Sequence, residues 1–174
     1  MSALEPFGEN IWIASGACVE SAGFRYPTRM ALIRLSDGGL FVWSPIALTE
    51  ALRSEIDALG DVRFLATPTR MHHLALPAWI QAYPQAALYA APGSRERRND
   101  IAFDADLASE APAHWAEDID QTLVRGNMIA TEAVFFHRAS KTVRIADLLQ
   151  NFPPTCFSGV RALSDASRAR LDRV

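Results

Sequence analysis

Alternating apolar and polar residues predict the first strands of the chain. Residues 10–15, N-I-W-I-A-S, place two isoleucines on one face and a tryptophan on the other, as in a half-buried strand. Two further apolar runs, residues 29–35 and Leu40–Trp43, are separated by S-D-G-G. Because glycine readily takes the positive φ angles of tight turns, these two runs are predicted to pair as an antiparallel hairpin.

From residue 48 the apolar spacing becomes that of an amphipathic helix. Four apolar residues recur at intervals of three or four positions: Leu48, Leu52, Ile56 and Leu59. Gly60 stands where this helix would end. The next run, Val62–Ala66, is short and apolar and predicts an inner strand. A strand that follows a helix of this length indicates a parallel crossover.

The remaining pattern completes an α/β arrangement. Residues 74–83 predict a helix whose first turn accommodates Pro77, and residues 86–91 predict a strand. Residues 92–127 show no clear pattern. Glu132–His137 and residues 142–147 are alternating runs separated by R-A-S-K, which predicts a second hairpin. We therefore expect one α/β domain over residues 1–174.

Composition narrows the class of protein. The chain has 174 residues, 49% of them hydrophobic and 21% charged, which is typical of a globular domain. A net charge of −3 gives no electrostatic basis for binding nucleic acid. No apolar run is long enough to span a membrane and no signal peptide is evident, so we expect a cytoplasmic protein without a membrane partner. A small-molecule substrate or ligand remains as the partner, and a homo-oligomer is compatible with the sequence.

Several residues have a structural explanation from sequence. Cys18 and Cys156 are predicted to be buried free thiols, with a disulfide or a reactive thiol as the alternative. Three arginines are predicted to form a solvated surface, with an anion-binding clasp as the alternative: Arg95, Arg97 and Arg98. His114 is expected to be structural or exposed. Three residues are expected to pack against or brace the sheet, with cleft lining as the alternative: Arg29, Trp43 and Trp79.

Four potential metal ligands lie at predicted strand ends. His72 and His73 follow the strand Val62–Ala66, where ligands commonly bind in α/β sheets, and His137 and Asp147 end the two strands of the second hairpin. Because a metal site needs several donors that converge from different elements, these four residues are candidates. Adjacent histidines point in different directions, so at most one of them usually serves a given ion unless two ions are present. The alternative is that the four side chains cap strand ends and bond to backbone groups.

Nucleophilic serine chemistry has little support from sequence. Ser44 and Ser140 each lie near a predicted strand end, but no G-x-S-x-G elbow is present. Neither cysteine has a neighbouring histidine in the sequence.

Five motifs together resemble an uncharacterised family, domain of unknown function 4336, which is regarded as a relative of the metallo-β-lactamase fold. They are F-G-E-N-I-W, Y-P-T-R-M-A-L-I-R-L-S-D-G-G-L-F-V-W-S-P-I, T-P-x-x-M-H-H, W-I-Q-A-Y-P and E-A-V-F-F-H-R-A-S-K-T-V-R-I-A-D. The resemblance covers residues 5–152. It implies an αββα sandwich in which two zinc or iron ions usually activate a hydroxide for hydrolysis.

The resemblance also shows where the ligand motif of that fold, T-H-x-H-x-D-H, has changed. Thr67 and His73 match its first and last positions. Pro68 and Arg70 stand where the first two histidines belong, and His72 stands in place of the aspartate. A complete pair of metal sites is therefore not expected.

By the same resemblance, His137 corresponds to the histidine of the middle motif and Asp147 to the aspartate that bridges two metals. No histidine follows His137, so the last ligand of the larger superfamily has no counterpart. Family members usually continue further, and we expect a C-terminally truncated version of the fold that ends in a loop and a short helix.

Two hypotheses follow from the resemblance. In the first, His72 or His73, His137 and Asp147 hold one zinc, iron or manganese ion in a degenerate metallo-hydrolase. Its candidate catalytic residues are Arg70 and Asp147, with Arg70 holding an anionic substrate or stabilising an oxyanion. In the second, the protein binds no metal and is a non-catalytic descendant that binds a ligand or a protein in the former cleft.

Overall fold

The computed structural model describes residues 2–21, 24–126 and 130–149. Its elements follow one another along the chain as β1 (Glu5–Gly8), β2 (Ile11–Ser15), β3 (Val19–Ser21), β4 (Phe24–Tyr26), β5 (Arg29–Arg34), β6 (Leu40–Trp43), α1 (Glu50–Asp57), β7 (Val62–Ala66), α2 (Leu76–Ala82), β8 (Ala87–Ala90), α3 (Ser94–Arg97), β9 (Ala105–Asp106), β10 (Ile119–Val124), β11 (Glu132–His137) and β12 (Thr142–Arg144).

A seven-stranded mixed sheet forms the centre of the fold, with strand order β1-β2-β5-β6-β7-β8-β9. Strands β5 and β6 pair antiparallel across the S-D-G-G turn, which confirms the predicted hairpin. Strands β6 to β9 are parallel neighbours. The predicted parallel crossover through α1 is therefore confirmed, and the carboxyl ends of the parallel strands meet at one edge of the sheet.

Both faces of this sheet are buried, which explains the nearly continuous apolar runs of β5 to β8. On one face, alternate residues of these strands pack against α1 and α2. On the other face, the intervening residues pack against β10 and β11 of a three-stranded sheet ordered β10-β11-β12. The described residues thus form a helix layer, a large sheet and a smaller sheet, and the predicted α/β class is confirmed.

Several elements had no clear sequence signal. Strands β1, β3, β4, β9 and β10 and the one-turn helix α3 were not predicted. Helix α1 begins at Glu50, two residues later than predicted, because the Thr49 hydroxyl accepts a hydrogen bond from Leu52 N at 3.2 Å and caps the helix. Strand β12 ends at Arg144 rather than at residue 147.

Two predictions about individual side chains are wrong. Cys18 is an exposed free cysteine rather than a buried one, and Arg29 is exposed instead of bracing the sheet. Trp43 and Trp79 are buried as expected. The second cysteine, Cys156, and the predicted C-terminal loop and helix lie outside the described residues. None of the described helices is long and apolar enough to cross a membrane.

Trp79 ties α2 to the segment that follows β6. Its side chain is fully buried, and its indole N–H donates to the Ile46 carbonyl at 2.7 Å. We expect Trp79→Phe to lower the free energy of unfolding by about 2 kcal/mol, because the buried Ile46 carbonyl would lose its partner. Urea denaturation measures this change.

The matched control is Trp12→Phe, since Trp12 is only partly buried. A loss in Trp79→Phe no larger than that in Trp12→Phe would show that the indole N–H does not brace this segment.

Candidate functional site

The T-P-T-R-M-H-H stretch lies at the carboxyl end of β7, beside the smaller sheet. Thr67 is fully buried, and its hydroxyl donates to the Tyr89 carbonyl and accepts from Ala91 N. The Pro68 carbonyl accepts from Ala133 N at 2.8 Å, which connects the loop to β11. Thr67 therefore braces neighbouring strands, and Pro68 joins the two sheets.

A buried carboxylate organises the residues after β12. Glu132 is 1% exposed, and its carboxylate accepts hydrogen bonds from the backbone N–H groups of Ala146, Asp147 and Leu148 at 2.5, 2.7 and 2.8 Å. Because these N–H groups bind Glu132, they do not continue the β ladder, and β12 ends early. The same bonds hold Asp147 beside the loop that follows β7, where Thr69 donates to it.

Two of the four predicted metal ligands, His72 and Asp147, lie next to each other. Asp147 Oδ2 accepts from the Thr69 hydroxyl at 2.7 Å, and Asp147 Oδ1 lies 3.5 Å from His72 Nε2. Burial alone would raise the pKa of Asp147, but the hydrogen bond and charge of His72, with the Thr69 hydroxyl, bring this pKa below its usual value. On the other side of the imidazole, His72 Nδ1 lies 2.6 Å from Ser44 Oγ.

His73 points away from His72 into a group of arginines. Its Nε2 accepts from Arg97 Nε at 2.8 Å, and its backbone carbonyl accepts from Arg98 Nη1 at 3.1 Å. Burial, followed by the positive charges of Arg97 and Arg98, lowers the pKa of His73. The ring nitrogen that would hold a cation is therefore already occupied by a guanidinium N–H.

His137 is buried at the end of β11. Its Nδ1 lies 2.7 Å from the Ser140 hydroxyl, in the turn that joins β11 to β12. Burial, followed by the charge of Arg144, lowers the pKa of His137. This predicted ligand thus has its own hydrogen-bond partner and a cation as a neighbour.

Arg144 is the most unusual side chain of the cleft. It is 7% exposed and lies opposite Phe135 in the β11–β12 ladder, with its Cζ 5.6 Å from the centre of the Trp43 ring. The Trp43 ring in turn lies 6.3 Å from the His72 ring. Within the described ranges, four buried side-chain nitrogens have no hydrogen-bond partner, and three of them are Trp43 Nε1, Arg144 Nε and Arg144 Nη2. Burial lowers the pKa of Arg144 to about 10, so the guanidinium stays charged at neutral pH.

The remaining predicted residues lie on the surface. Arg70 is exposed, and its aliphatic part covers Gly93, where an added Cβ would come within 3.2 Å of Arg70 Cδ. Arg95 is exposed and forms an ion pair with Asp106, as expected of a solvated surface. Arg98 pairs with Asp100, but its side chain is only 17% exposed. His114 is exposed as well, and it stacks on Phe64.

These residues do not fit the metal pair of the related fold. In residues 2–21, 24–126 and 130–149, no group of three or more His, Cys, Asp or Glu side chains is arranged to hold a metal ion. Arg97 and Arg98 surround His73, and Arg144 neighbours His137. Fixed positive charges at two of the four predicted ligands repel a cation. Of the four, His72 and Asp147 remain as a pair.

Two residues of the candidate site, Arg144 and Glu132, were missed at the sequence level, and Ser44 was considered there as a nucleophile but given little support. Arg144 interrupts the apolar alternation of T-V-R-I-A-D, which could have marked an inward-facing charge. Glu132 opens a buried strand. Ser44 follows the apolar strand β6 at the sheet edge where ligands bind, but its histidine is 28 positions away in sequence and only the fold brings the two together.

Comparison with known proteins gives the family and the fold. The profile of the family described as "Domain of unknown function (DUF4336)" matches residues 18–166. No functionally curated protein matches the chain.

Among solved structures, a metallo-beta-lactamase from Pontibacter korlensis is similar at a TM-score of 0.59 and 12% identity, over 77% of this chain and 66% of that one. The metallo-beta-lactamase FIM-1 from Pseudomonas aeruginosa in its mono-zinc form is similar at a TM-score of 0.56 and 10% identity, over 76% of this chain and 62% of that one. The Flv1 flavodiiron core from Synechocystis is similar at a TM-score of 0.59 and 6% identity, over 80% of this chain and 40% of that one.

The chain thus spans less than two thirds of the length of each of these proteins. Identities this low show the fold alone, and the expected metallo-β-lactamase-like architecture is confirmed.

Glu132→Gln tests the carboxylate that positions Asp147. An amide has one acceptor oxygen and would direct N–H donors at backbone N–H groups, so we expect the free energy of unfolding to fall by about 3 kcal/mol. Urea denaturation measures this, with the exposed Glu117→Gln as the control. Equal stabilities of the two variants would contradict the role assigned to Glu132.

The buried histidines predict a pH dependence of stability. The folded-state pKa values of His73 and His137 lie below the ordinary value of 6.5, so below that pH the unfolded chain binds protons that the folded chain does not. We expect the free energy of unfolding to decrease from pH 7.5 to about pH 5.5. His137→Gln should reduce this decrease, and His114→Gln, at an exposed position, serves as the control. An identical pH dependence in all three proteins would refute the assignment.

Proposed function

Because the chain belongs to the DUF4336 family and has the metallo-β-lactamase fold, we propose that it binds a small molecule bearing a carboxylate or phosphate group in the cleft between its two sheets. The ligand would occupy the region where this fold usually holds metal ions. The observation that carries the proposal is the buried guanidinium of Arg144.

Arg144 is chemically suited to an oxyanion. A buried charge without a counter-ion is costly, and Arg144 has no carboxylate partner among the described residues. Its unpartnered nitrogens, Nε and Nη2, form one edge of the guanidinium, which can donate two parallel hydrogen bonds to a carboxylate or phosphate. The Trp43 indole N–H is a third unpartnered donor beside it.

Further positive charge lies at the carboxyl ends of β7 and β8. Arg70 has no ion pair within the part of the chain that the structure describes, and Arg97 donates to neutral His73 instead of to a carboxylate. Such an arrangement attracts anions to the cleft and disfavours cations.

A mononuclear metallo-hydrolase is the second candidate, and the His72–Asp147 pair favours it. In that case one zinc, iron or manganese ion per chain should copurify with the protein and be absent from both His72→Ala and Asp147→Ala. Plasma mass spectrometry of untagged protein measures the metal content. Anion binding unaffected by a chelator, with no copurified metal, supports the first candidate.

We expect phosphate, acetate or benzoate to bind the wild-type protein in isothermal titration calorimetry at low ionic strength. Arg144→Gln should weaken binding of the same anion at least tenfold, which corresponds to about 1.4 kcal/mol. The matched control is Arg138→Gln, because Arg138 is exposed and paired with Asp120.

The stability of an Arg144 variant distinguishes a structural role from ligand binding. If Arg144 had a structural role, replacing it would lower the free energy of unfolding. If Arg144 is kept for ligand binding, Arg144→Met removes an uncompensated buried charge and should raise the free energy of unfolding of ligand-free protein by about 1 kcal/mol or more. The proposal fails if none of the three anions binds, or if Arg144→Gln binds them as tightly as wild type does.

A further inference from the structure

The backbone at Ser44 is strained. Ser44 follows β6 directly and has a φ of 56°, in the left-handed region that non-glycine residues rarely adopt. Pro45 comes next, and a residue before proline favours an extended conformation. Strained residues of this kind persist where the surrounding structure holds them, and they cluster at functional sites.

The side chain of Ser44 begins a line of three polar groups. Ser44 Oγ lies 2.6 Å from His72 Nδ1, and His72 Nε2 lies 3.5 Å from Asp147 Oδ1. Thr69 fixes the other carboxylate oxygen of Asp147 at 2.7 Å. A hydroxyl, an imidazole and a carboxylate in this order are the parts of an activated serine nucleophile, and the longer second distance is common before substrate binds.

A second serine–histidine pair offers a contrast. Ser140 Oγ lies 2.7 Å from His137 Nδ1, but His137 is 1% exposed and the described residues place no carboxylate on its other nitrogen. Ser140 has no positive φ. Only Ser44, of these two serines, combines backbone strain with a complete line of polar groups.

We propose that Ser44 is the nucleophile of an acyl-transfer site that hydrolyses esters of small anionic compounds. Ser44 Oγ attacks the ester carbonyl carbon, and the hydroxyl proton passes to His72 Nδ1. The bond from carbon to the leaving oxygen breaks, and the leaving alkoxide takes the proton from His72. Water then attacks the acyl-serine in the same way and releases the acid, while Asp147 stabilises the positive imidazolium.

The surroundings determine what this site can accept. Pro45 has no backbone N–H, so the usual donor after the nucleophile is missing. We assign the oxyanion instead to the unpartnered indole N–H of Trp43, the residue before Ser44. Arg144, stacked on Trp43, would bind the anionic group of the substrate. This choice of substrate rests on the proposed anion binding, whereas the reactivity of Ser44 does not.

Access to the serine is narrow. Ser44 is 3% exposed, while the side chains of His72 and Asp147 are 24% and 23% exposed. Of the three side chains, only those of His72 and Asp147 are appreciably exposed, so a test needs small reagents.

The experiment is covalent labelling of the full chain with phenylmethanesulfonyl fluoride and a methyl fluorophosphonate, followed by intact mass and peptide mapping. In this reaction the serine oxygen bonds to sulfur or phosphorus and fluoride leaves. We expect a single adduct on Ser44, at least tenfold slower labelling in His72→Ala, and no adduct in Ser44→Ala. Ser44→Gly serves as a second negative variant, because glycine accepts the backbone conformation without strain.

Ser140→Ala is the matched control and should label at the wild-type rate. These reagents are uncharged, so labelling of Ser44 does not require the anion binding proposed above, and the two proposals can fail separately. Hydrolysis of p-nitrophenyl acetate should likewise be lost in Ser44→Ala and be at least tenfold slower in His72→Ala.

The inference is overturned if no adduct maps to Ser44 in wild-type protein, or if His72→Ala labels as fast as wild type. Labelling that a chelator abolishes would also overturn it, because the nucleophile would then depend on a metal instead of on His72 and Asp147.

Discussion

The hydrogen bonds of the Glu132 carboxylate are the interaction on which the geometry of the cleft depends. They join the first residue of β11 to the backbone that follows β12. Asp147 is thereby held where Thr69 and His72 can reach it. Since Ala133, the next residue of β11, also donates to the Pro68 carbonyl, one end of this strand aligns the loops of both sheets. The arrangement of Thr69, His72 and Asp147 is thus built on a buried carboxylate.

The electrostatics of the cleft are reversed relative to a metal centre. Metal-binding members of such a fold gather neutral imidazoles and carboxylates around cations. Here guanidinium groups contact or neighbour two of the four candidate ligands, and Arg144 retains two unpartnered donors. A buried cation of this kind is stabilised by an anion, and a metal ion would be repelled. The charge distribution that disfavours a metal ion is therefore the same one on which the proposed anion binding rests.

Local pattern predicted much of the central sheet. The S-D-G-G turn, the period of α1 and the apolar runs of β6 and β7 each depend on residues close together in sequence, and the structure confirms these elements. Strand β10 was missed because its Gln121 faces inward and hydrogen bonds to the Trp115 indole, which disguises a buried strand as a polar segment. The early end of β12 was missed because it depends on Glu132, more than ten positions away.

For the site, the sequence by itself determined the list of candidate groups and their positions near strand ends, because strand ends and ligand-type residues are local properties. It also determined that the ligand motif had changed, since Pro68 and Arg70 stand at two of its positions. Only the tertiary structure decided the partners: His73 binds Arg97, His137 binds Ser140, and His72 lies between Ser44 and Asp147. The physical reason is that a histidine's chemistry depends on the groups that contact its two nitrogens, and here those groups come from strands and loops distant in sequence.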